Sequence, residues 1–256
     1  MNPDLKVNVV LFVATSDELE QLRFAARLLG LPFEERHDEN VGDFYSLGVL
    51  GFNRVIAART RTGSHDYGGS CSQALLFQTH STARAFVQLG MAFGVNSQLQ
   101  KVGQVLVATS LFPYDRRDVS VQDGQFVYGY QYTKRRLCKE SLRRMFQRAA
   151  EQLNIPYKVH FGMMLSGGAR IYSVEFRNRL LQWVPQKAGH HIVGGEMEGV
   201  GLLAASNPDD PSWIVVKGIS DFAEHYLPEH PARPVACRRA ALFVLRALLA
   251  NPVPIE

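Results

Sequence analysis

At 256 residues, with apolar and charged fractions ordinary for globular proteins, the chain is long enough to bury a substantial core. Its net charge of +4 demands no nucleic-acid partner, and its longest apolar runs, such as ALFVLRALLA, are interrupted by arginine and too short to cross a bilayer. Three widely spaced cysteines (Cys71, Cys138 and Cys237) give neither a disulfide framework nor a metal-ligand pair, and the start lacks a basic region and small-residue cleavage site, so a reduced cytoplasmic protein is expected.

Val7 to Ala14 is a nearly continuous β-branched and apolar run, as in a strand buried on both faces. TSDELEQLRFAARLLG follows, with Thr15 or Ser16 as N-cap, an apolar stripe of Leu19, Leu22, Ala26 and Leu29, and Gly30 to end the helix. Two short strands are expected at Phe44 to Leu50 and Arg54 to Arg59, joined by a turn containing Gly51. RTGSHDYGGS reads as a loop, CSQALLFQTH as a helix, and AFVQLGMAFGV and GQVLVATSLF as buried strands.

Residues 112 to 136 are the least regular part, rich in tyrosine, glycine and charge. Lys139 to Leu153 reads as a basic amphipathic helix and Tyr157 to Leu165 as a strand running into SGGAR. A helix at Val174 to Trp183, a strand at Ser212 to Ile219 and a helix at Pro234 to Leu249 complete the series. Strands alternating with helices argue for one α/β sheet covered on both faces. With no linker and no internal repeat, residues 1–256 read as a single domain.

Three acidic positions follow expected strands: Glu18 after the first, Glu196 and Glu198 in GGEMEGVGLLAAS, and Asp221 in VVKGISDFAEH. In a doubly wound sheet those strand ends converge, so distant acids can line one cleft. As solvated residues, Glu196 and Glu198 would simply complement a helix N-terminus. As a set, the acids suit cleavage of a ribose–base bond. Carboxylates stabilise an electron-poor sugar, a desolvated carboxylic acid protonates the departing base, and a further carboxylate orients water.

GGEMEGVGLLAAS followed by VVKGISDFAEH resembles the nucleoside phosphorylase and nucleosidase superfamily, which includes methylthioadenosine/S-adenosylhomocysteine nucleosidases, AMP nucleosidases and purine phosphorylases. The likeness runs from LFVATSDELEQL to the closing helix. It implies a three-layer α/β/α fold with a mixed, mostly parallel central sheet, and chemistry that needs no metal or organic cofactor. It further implies that Asp221 protonates the purine ring with Ser220 beside it, that Glu198 binds the ribose hydroxyls, that Met197 packs on the sugar, and that Glu18 orients the attacking water. Glu196 is left as a second ribose or water contact or as a structural neighbour. At least a homodimer is implied, with a neighbour's loop closing the site.

The phosphorolytic members resembled here carry G-D-P-x-R after the first strand and R-x-G-[ST] after a middle one. This chain has T-S-D-E at the first place and Gln88-Leu89-Gly90-Met91 at the second. An acid beside an anion site repels phosphate, so water is favoured as nucleophile. Standard nucleosidases have G-S-A-G-G where this chain has Gly90-Met91-Ala92-Phe93-Gly94, so Met91 and Phe93 make that wall bulkier and more apolar. The alternatives are a phosphate-dependent purine nucleoside phosphorylase and a catalytically weak nucleotide-binding module.

SGGAR places Arg170 where nucleosidases carry an aromatic that stacks on adenine; a guanidinium stacks on a base or reads an oxygen or phosphate. Lys134, Arg135 and Arg136 fall in the loop that resembled enzymes fold over the 5′ end of the ribose, which suits a 5′-phosphate or triphosphate. The expected partner is therefore a small-molecule purine nucleotide or nucleoside, with AMP or ATP ahead of a thioether nucleoside. ARTRTGS, with Arg59, Arg61, Gly63 and Ser64, is either a second anion site or a plain turn. Tyr128, Tyr130 and Tyr132 alternate as on a strand, at an interface or in the core. The WVPQKAGHHIVGGEMEG run also resembles phosphorylase-type domains of bacterial effector and defence proteins, some acting as nucleotide nucleosidases.

Overall fold

The structure, a computed structural model, describes residues 2–130, 136–184, 191–207, 210–224 and 231–253. A 3-10 turn (Pro3–Leu5) leads into β1 (Val9–Val13), α1 (Ser16–Leu28), β2 (Glu34–Asp38), β3 (Gly42–Leu50), β4 (Asn53–Arg59), α2 (Ser70–His80) and β5 (Ala85–Gly94). There follow β6 (Val105–Pro113), β7 (Arg117–Gln122), β8 (Gln125–Tyr130), β9 (Arg136–Leu137), α3 (Glu140–Gln152), β10 (Val159–Ser166) and α4 (Val174–Trp183). The chain ends with β11 (Ile192–Glu196), α5 (Gly199–Ala205), β12 (Trp213–Asp221) and α6 (Arg233–Ala250). Among the described residues, no helix is long and apolar enough to cross a membrane.

Continuous apolar runs became central strands. Every residue of β1 is buried, as are all but the last of β12, because both faces of these strands are covered. The ten-stranded sheet runs β11-β10-β6-β12-β5-β1-β4-β3-β2, with β9 added beside β6. β5 pairs parallel with β1 and β12, whereas β12 meets β6 antiparallel. Helices α1 and α3 pack against α6 on one side of the sheet, and α2 packs against α5 on the other. The strand alternation shows why. Gly218 abuts the α6 backbone at Ala236, while Val215, an odd number of residues away, touches Gly199 at the start of α5. The result is a three-layer α/β/α fold around a mixed sheet.

Two features depart from the doubly wound sheet expected from the sequence. First, β11 also pairs with β5, antiparallel, through Gly194↔Gly94 and Gly195↔Phe93. Strands β5, β12, β6, β10 and β11 therefore close on themselves. The glycine pair permits this crossing: a Cβ on Gly194 would lie 2.5 Å from the Phe93 carbonyl oxygen, and one on Gly195 2.2 Å from the Phe93 ring. The carboxyl ends of β5 and β12 thus lie side by side, and closure of the ring brings β11 to them.

Second, the described residues between 112 and 130 are more regular than their composition suggested. β6 continues to Pro113, and β7 and β8 form a separate hairpin turned by Asp123 and Gly124 at positive φ. Tyr128 packs edge-on against Trp183 of α4 at 6.1 Å, under the Arg117 guanidinium. Tyr130 belongs to β8 by its backbone, and Tyr132 lies outside the described residues. The strand β2, a charged and exposed edge, was not expected, because EERHD carries no apolar alternation.

Candidate active site

The α1 N-terminus brings the first carboxylate into place. Thr15 is the N-cap and Glu18 the third helical residue, and the two form a reciprocal capping box. Glu18 Oε2 accepts the amides of Ala14 (2.7 Å) and Thr15 (3.1 Å), while Oε1 accepts the amide of Met91 (3.0 Å) from β5. That reach depends on Gly90, whose φ is +138°; a Cβ there would lie 1.8 Å from Glu18 Oε1. Glu18 is only 4% exposed. Burial, with the negative charge of Glu198, raises its pKa above the ordinary carboxylate value, while Lys217 and the backbone amides oppose the rise.

Glu196 ends β11 and Glu198 precedes α5 by one residue. The Glu196 carboxylate folds back on its own turn, accepting the amides of Glu198 (2.9 Å) and Gly199 (2.8 Å). Burial raises its pKa too, against the pull of Lys217. Glu198 Oε1 accepts the amide of Gly63 (3.1 Å), and Oε2 accepts from the Lys217 ammonium (2.8 Å), which stands 3.9 Å from Glu196. The solvated reading of this acid pair is thereby corrected, since both are about 95% buried. ARTRTGS is likewise a turn and not an open anion site: the Gly63 amide is held by a carboxylate, and Ser64 bonds His65.

Lys217 is the residue that sequence reasoning missed. It sits in the middle of β12 with no exposed surface. Burial pulls its pKa down, but Glu198, Glu18 and Glu196 together outweigh that and hold the ammonium above its ordinary value. A lysine inside an apolar run was the available signal, since a buried charge requires a partner.

Asp221 occupies the tip of β12, opposite Phe93. Its Oδ2 lies 2.7 Å from Ser220 Oγ and its Oδ1 accepts the Ala223 amide at 2.8 Å. Ser220 Oγ is also 3.3 Å from the Ala92 carbonyl. The Ser220 hydroxyl thus donates to the Asp221 carboxyl group or to the Ala92 carbonyl.

These groups share one cleft of about 190 Å³. Glu18, Glu196, Glu198, Ser220 and Asp221 supply its polar wall, and Met91, Phe93 and Met197 its apolar one. Gly90 does not line it but makes the room that Glu18 occupies. Arg170 lines the cleft from an exposed position, with Ile171 and Tyr172 beside it; neither of these was singled out in the sequence. Arg233, in the first turn of α6, also lines it. Lys134 and Arg135 lie outside the described residues, and Arg136 enters through its backbone, which pairs with Leu111.

The family model of the Phosphorylase superfamily matches residues 8–249. A 92-residue stretch is 36% identical to the Death domain-containing ATP nucleosidase of Amphimedon queenslandica; it spans 36% of this chain and 16% of that protein. Among solved structures, the fold is similar to the 5′-methylthioadenosine/S-adenosylhomocysteine nucleosidase of Neisseria meningitidis in complex with methylthio-immucillin-A. The TM-score is 0.75 at 18% identity, over 95% of this chain and 99% of that one. It is also similar to the futalosine hydrolase of Helicobacter pylori, with a TM-score of 0.70 at 19% identity over 96% and 99% of the two chains. At such identities the structural likeness speaks for the fold.

Proposed function

Because this chain belongs to the phosphorylase superfamily, we propose that it hydrolyses the N-glycosidic bond of an adenine nucleotide or nucleoside, releasing free base. The observation that carries this reading is the meeting of Glu18 and Glu198 with Asp221 and Ser220 in one cleft, from strand ends far apart in the chain, with the buried Lys217 paired to Glu198.

The roles follow from the remaining hydrogen-bonding capacity of each group. Glu18 Oε2 is filled by two amides, whereas Oε1 accepts one and keeps a lone pair for water. Its raised pKa brings it nearer neutrality, where a general base works best. Glu198, fixed by Gly63 and Lys217, retains lone pairs for two ribose hydroxyls. Its charge, with that of Glu18, stabilises the cationic sugar as the base departs. Asp221 delivers the proton that leaves with the base, and the water proton passes to Glu18. Met197, Met91 and Phe93 exclude solvent around the sugar and base, and Arg170 contacts the base or a phosphate from the rim.

AMP or ATP is the proposed substrate, supported by the similarity to an ATP nucleosidase and by the cations Lys134, Arg135 and Arg136 in the sequence. Residues 1–256 would act as one domain, within at least a homodimer in the cytoplasm. Destroying a nucleotide pool would suit a defence effector. The test is chromatographic detection of adenine from ATP, AMP, adenosine and methylthioadenosine, with and without phosphate. Adenine release that ignores phosphate and is fastest from ATP or AMP is expected. Strict phosphate dependence with ribose-1-phosphate as product overturns hydrolysis, and methylthioadenosine as clearly the best substrate overturns the nucleotide assignment.

A further inference from the structure

The peptide group joining Phe222 to Ala223 is held at both ends. Its N–H donates to Asp221 Oδ1 at 2.8 Å, and its carbonyl oxygen accepts from Nη1 of Arg177 in α4. Immediately after this peptide the chain turns at Ala223, which adopts φ +57°, a left-handed conformation rare for a residue with a side chain. Such strain persists only where the surroundings enforce it. Here they do: Ala223 is fully buried, and the Phe222 ring packs on the backbone of Gly94, where an added Cβ would lie 2.6 Å from the ring. The guanidinium is steadied in turn by Asn178, whose Oδ1 accepts from Nη2 at 3.0 Å and from Nε at 3.2 Å.

We propose that Arg177 is a positioning residue for Asp221, acting through the Phe222–Ala223 peptide without lining the cleft itself. Two effects follow from one contact. The bond from Arg177 fixes the plane of the peptide, and so the direction in which the Ala223 N–H meets the Asp221 carboxyl group. A charge-assisted bond to a carbonyl also polarises its amide, which strengthens the N–H as a donor. Arg177 therefore lends part of its positive charge to Oδ1 and leaves Oδ2, which accepts from Ser220, with a lone pair for the proton. The inference rests on the nucleosidase reading for its catalytic consequence, but the clamp itself can be tested without turnover.

The experiment compares Arg177→Met and Arg177→Lys with the wild-type chain in two measurements. The first is the amide proton signal of Ala223, with its hydrogen-exchange rate, assigned by nuclear magnetic resonance. In Arg177→Met that proton moves upfield and exchanges about tenfold faster, as expected when a charge-assisted partner is lost. The second is steady-state release of adenine. Arg177→Met lowers kcat about tenfold with KM changed less than about twofold, since an interaction serving proton transfer is lost and not substrate binding. Arg177→Lys, which keeps a charge and a donor, recovers most of both. An unchanged Ala223 signal in Arg177→Met overturns the clamp, as does a wild-type kcat or an effect confined to KM. If the wild-type chain releases no base from any purine nucleoside or nucleotide, the hydrolase reading falls, while the Ala223 signal still decides the role of Arg177.

Discussion

The cleft has two acidic regions that the fold treats in opposite ways. Glu18, Glu196 and Glu198 are about 95% buried and gathered around the fully enclosed Lys217, with Glu18 and Glu198 tied to backbone amides of distant elements and Glu196 to those of its own turn. Asp221 is only partly buried, and its carboxyl is held by one hydroxyl and one amide, both from residues within two positions of it. The contrast matches two demands of glycosidic cleavage. Charge that stabilises a cationic sugar works best when it is fixed and dry. A proton donor must reach its acceptor and be recharged from solvent. Burying three carboxylates around one ammonium is a poor way to stabilise a fold, which argues that the cluster serves the site.

Four changes probe this contrast. Lys217→Met should have the largest effect: it strips the counter-charge from the buried cluster and should cost about 3–5 kcal/mol of stability, seen as a lowered Tm. A Tm near wild type would mean that the carboxylates are already neutral. Asp221→Asn should leave the Tm almost unmoved yet slow adenine release on the order of 10²-fold or more. Full activity there would show that the proton comes from elsewhere.

Glu18→Gln tests the buried side by pH. If ionised Glu18 is the base, the wild-type rate falls as pH drops through its raised pKa, so the acid limb lies above 4.5; in the variant that limb should vanish from a much lower plateau. The stability consequence has a definite sign. A carboxyl whose folded pKa is raised contributes stability that is present below its unfolded pKa and lost as pH rises through the folded one. The Tm difference between wild type and Glu18→Gln should therefore move against the wild type as pH rises above 4.5. The smallest effect belongs to the rim. Arg170→Ala should raise KM roughly tenfold or less, with kcat nearly unchanged, because one exposed guanidinium contact is lost. A collapse of kcat would instead place Arg170 at the reacting atoms.

Much of this arrangement was legible along the chain. The helix after β1 was delimited by its Thr15 or Ser16 cap, its apolar stripe and Gly30, and Glu18, Glu198 and Asp221 were singled out from their places after strands. Of the β7–β8 hairpin only the tyrosine alternation in β8 was legible, because RDVSVQ and QFVYGY mix exposed valine and phenylalanine with polar residues. The work of Gly194 and Gly195 was not legible, since their missing side chains matter only because Phe93 crosses them. Arg177 reads from the sequence as a solvated helix residue, and nothing local reveals the carbonyl it holds 45 residues away.

What the sequence by itself determined is local: the runs that must be strands, the caps that start helices, and the presence of acids at strand ends. Periodicity and capping depend on neighbours within a turn or two, so they can be read without the fold. Only the tertiary structure decided that β11 crosses β5 to close the ring, that Lys217 stands between Glu196 and Glu198, and that Glu18 reaches over Gly90 to Met91. Desolvation and charge pairing depend on distances across the chain, and those exist only after the strands have packed.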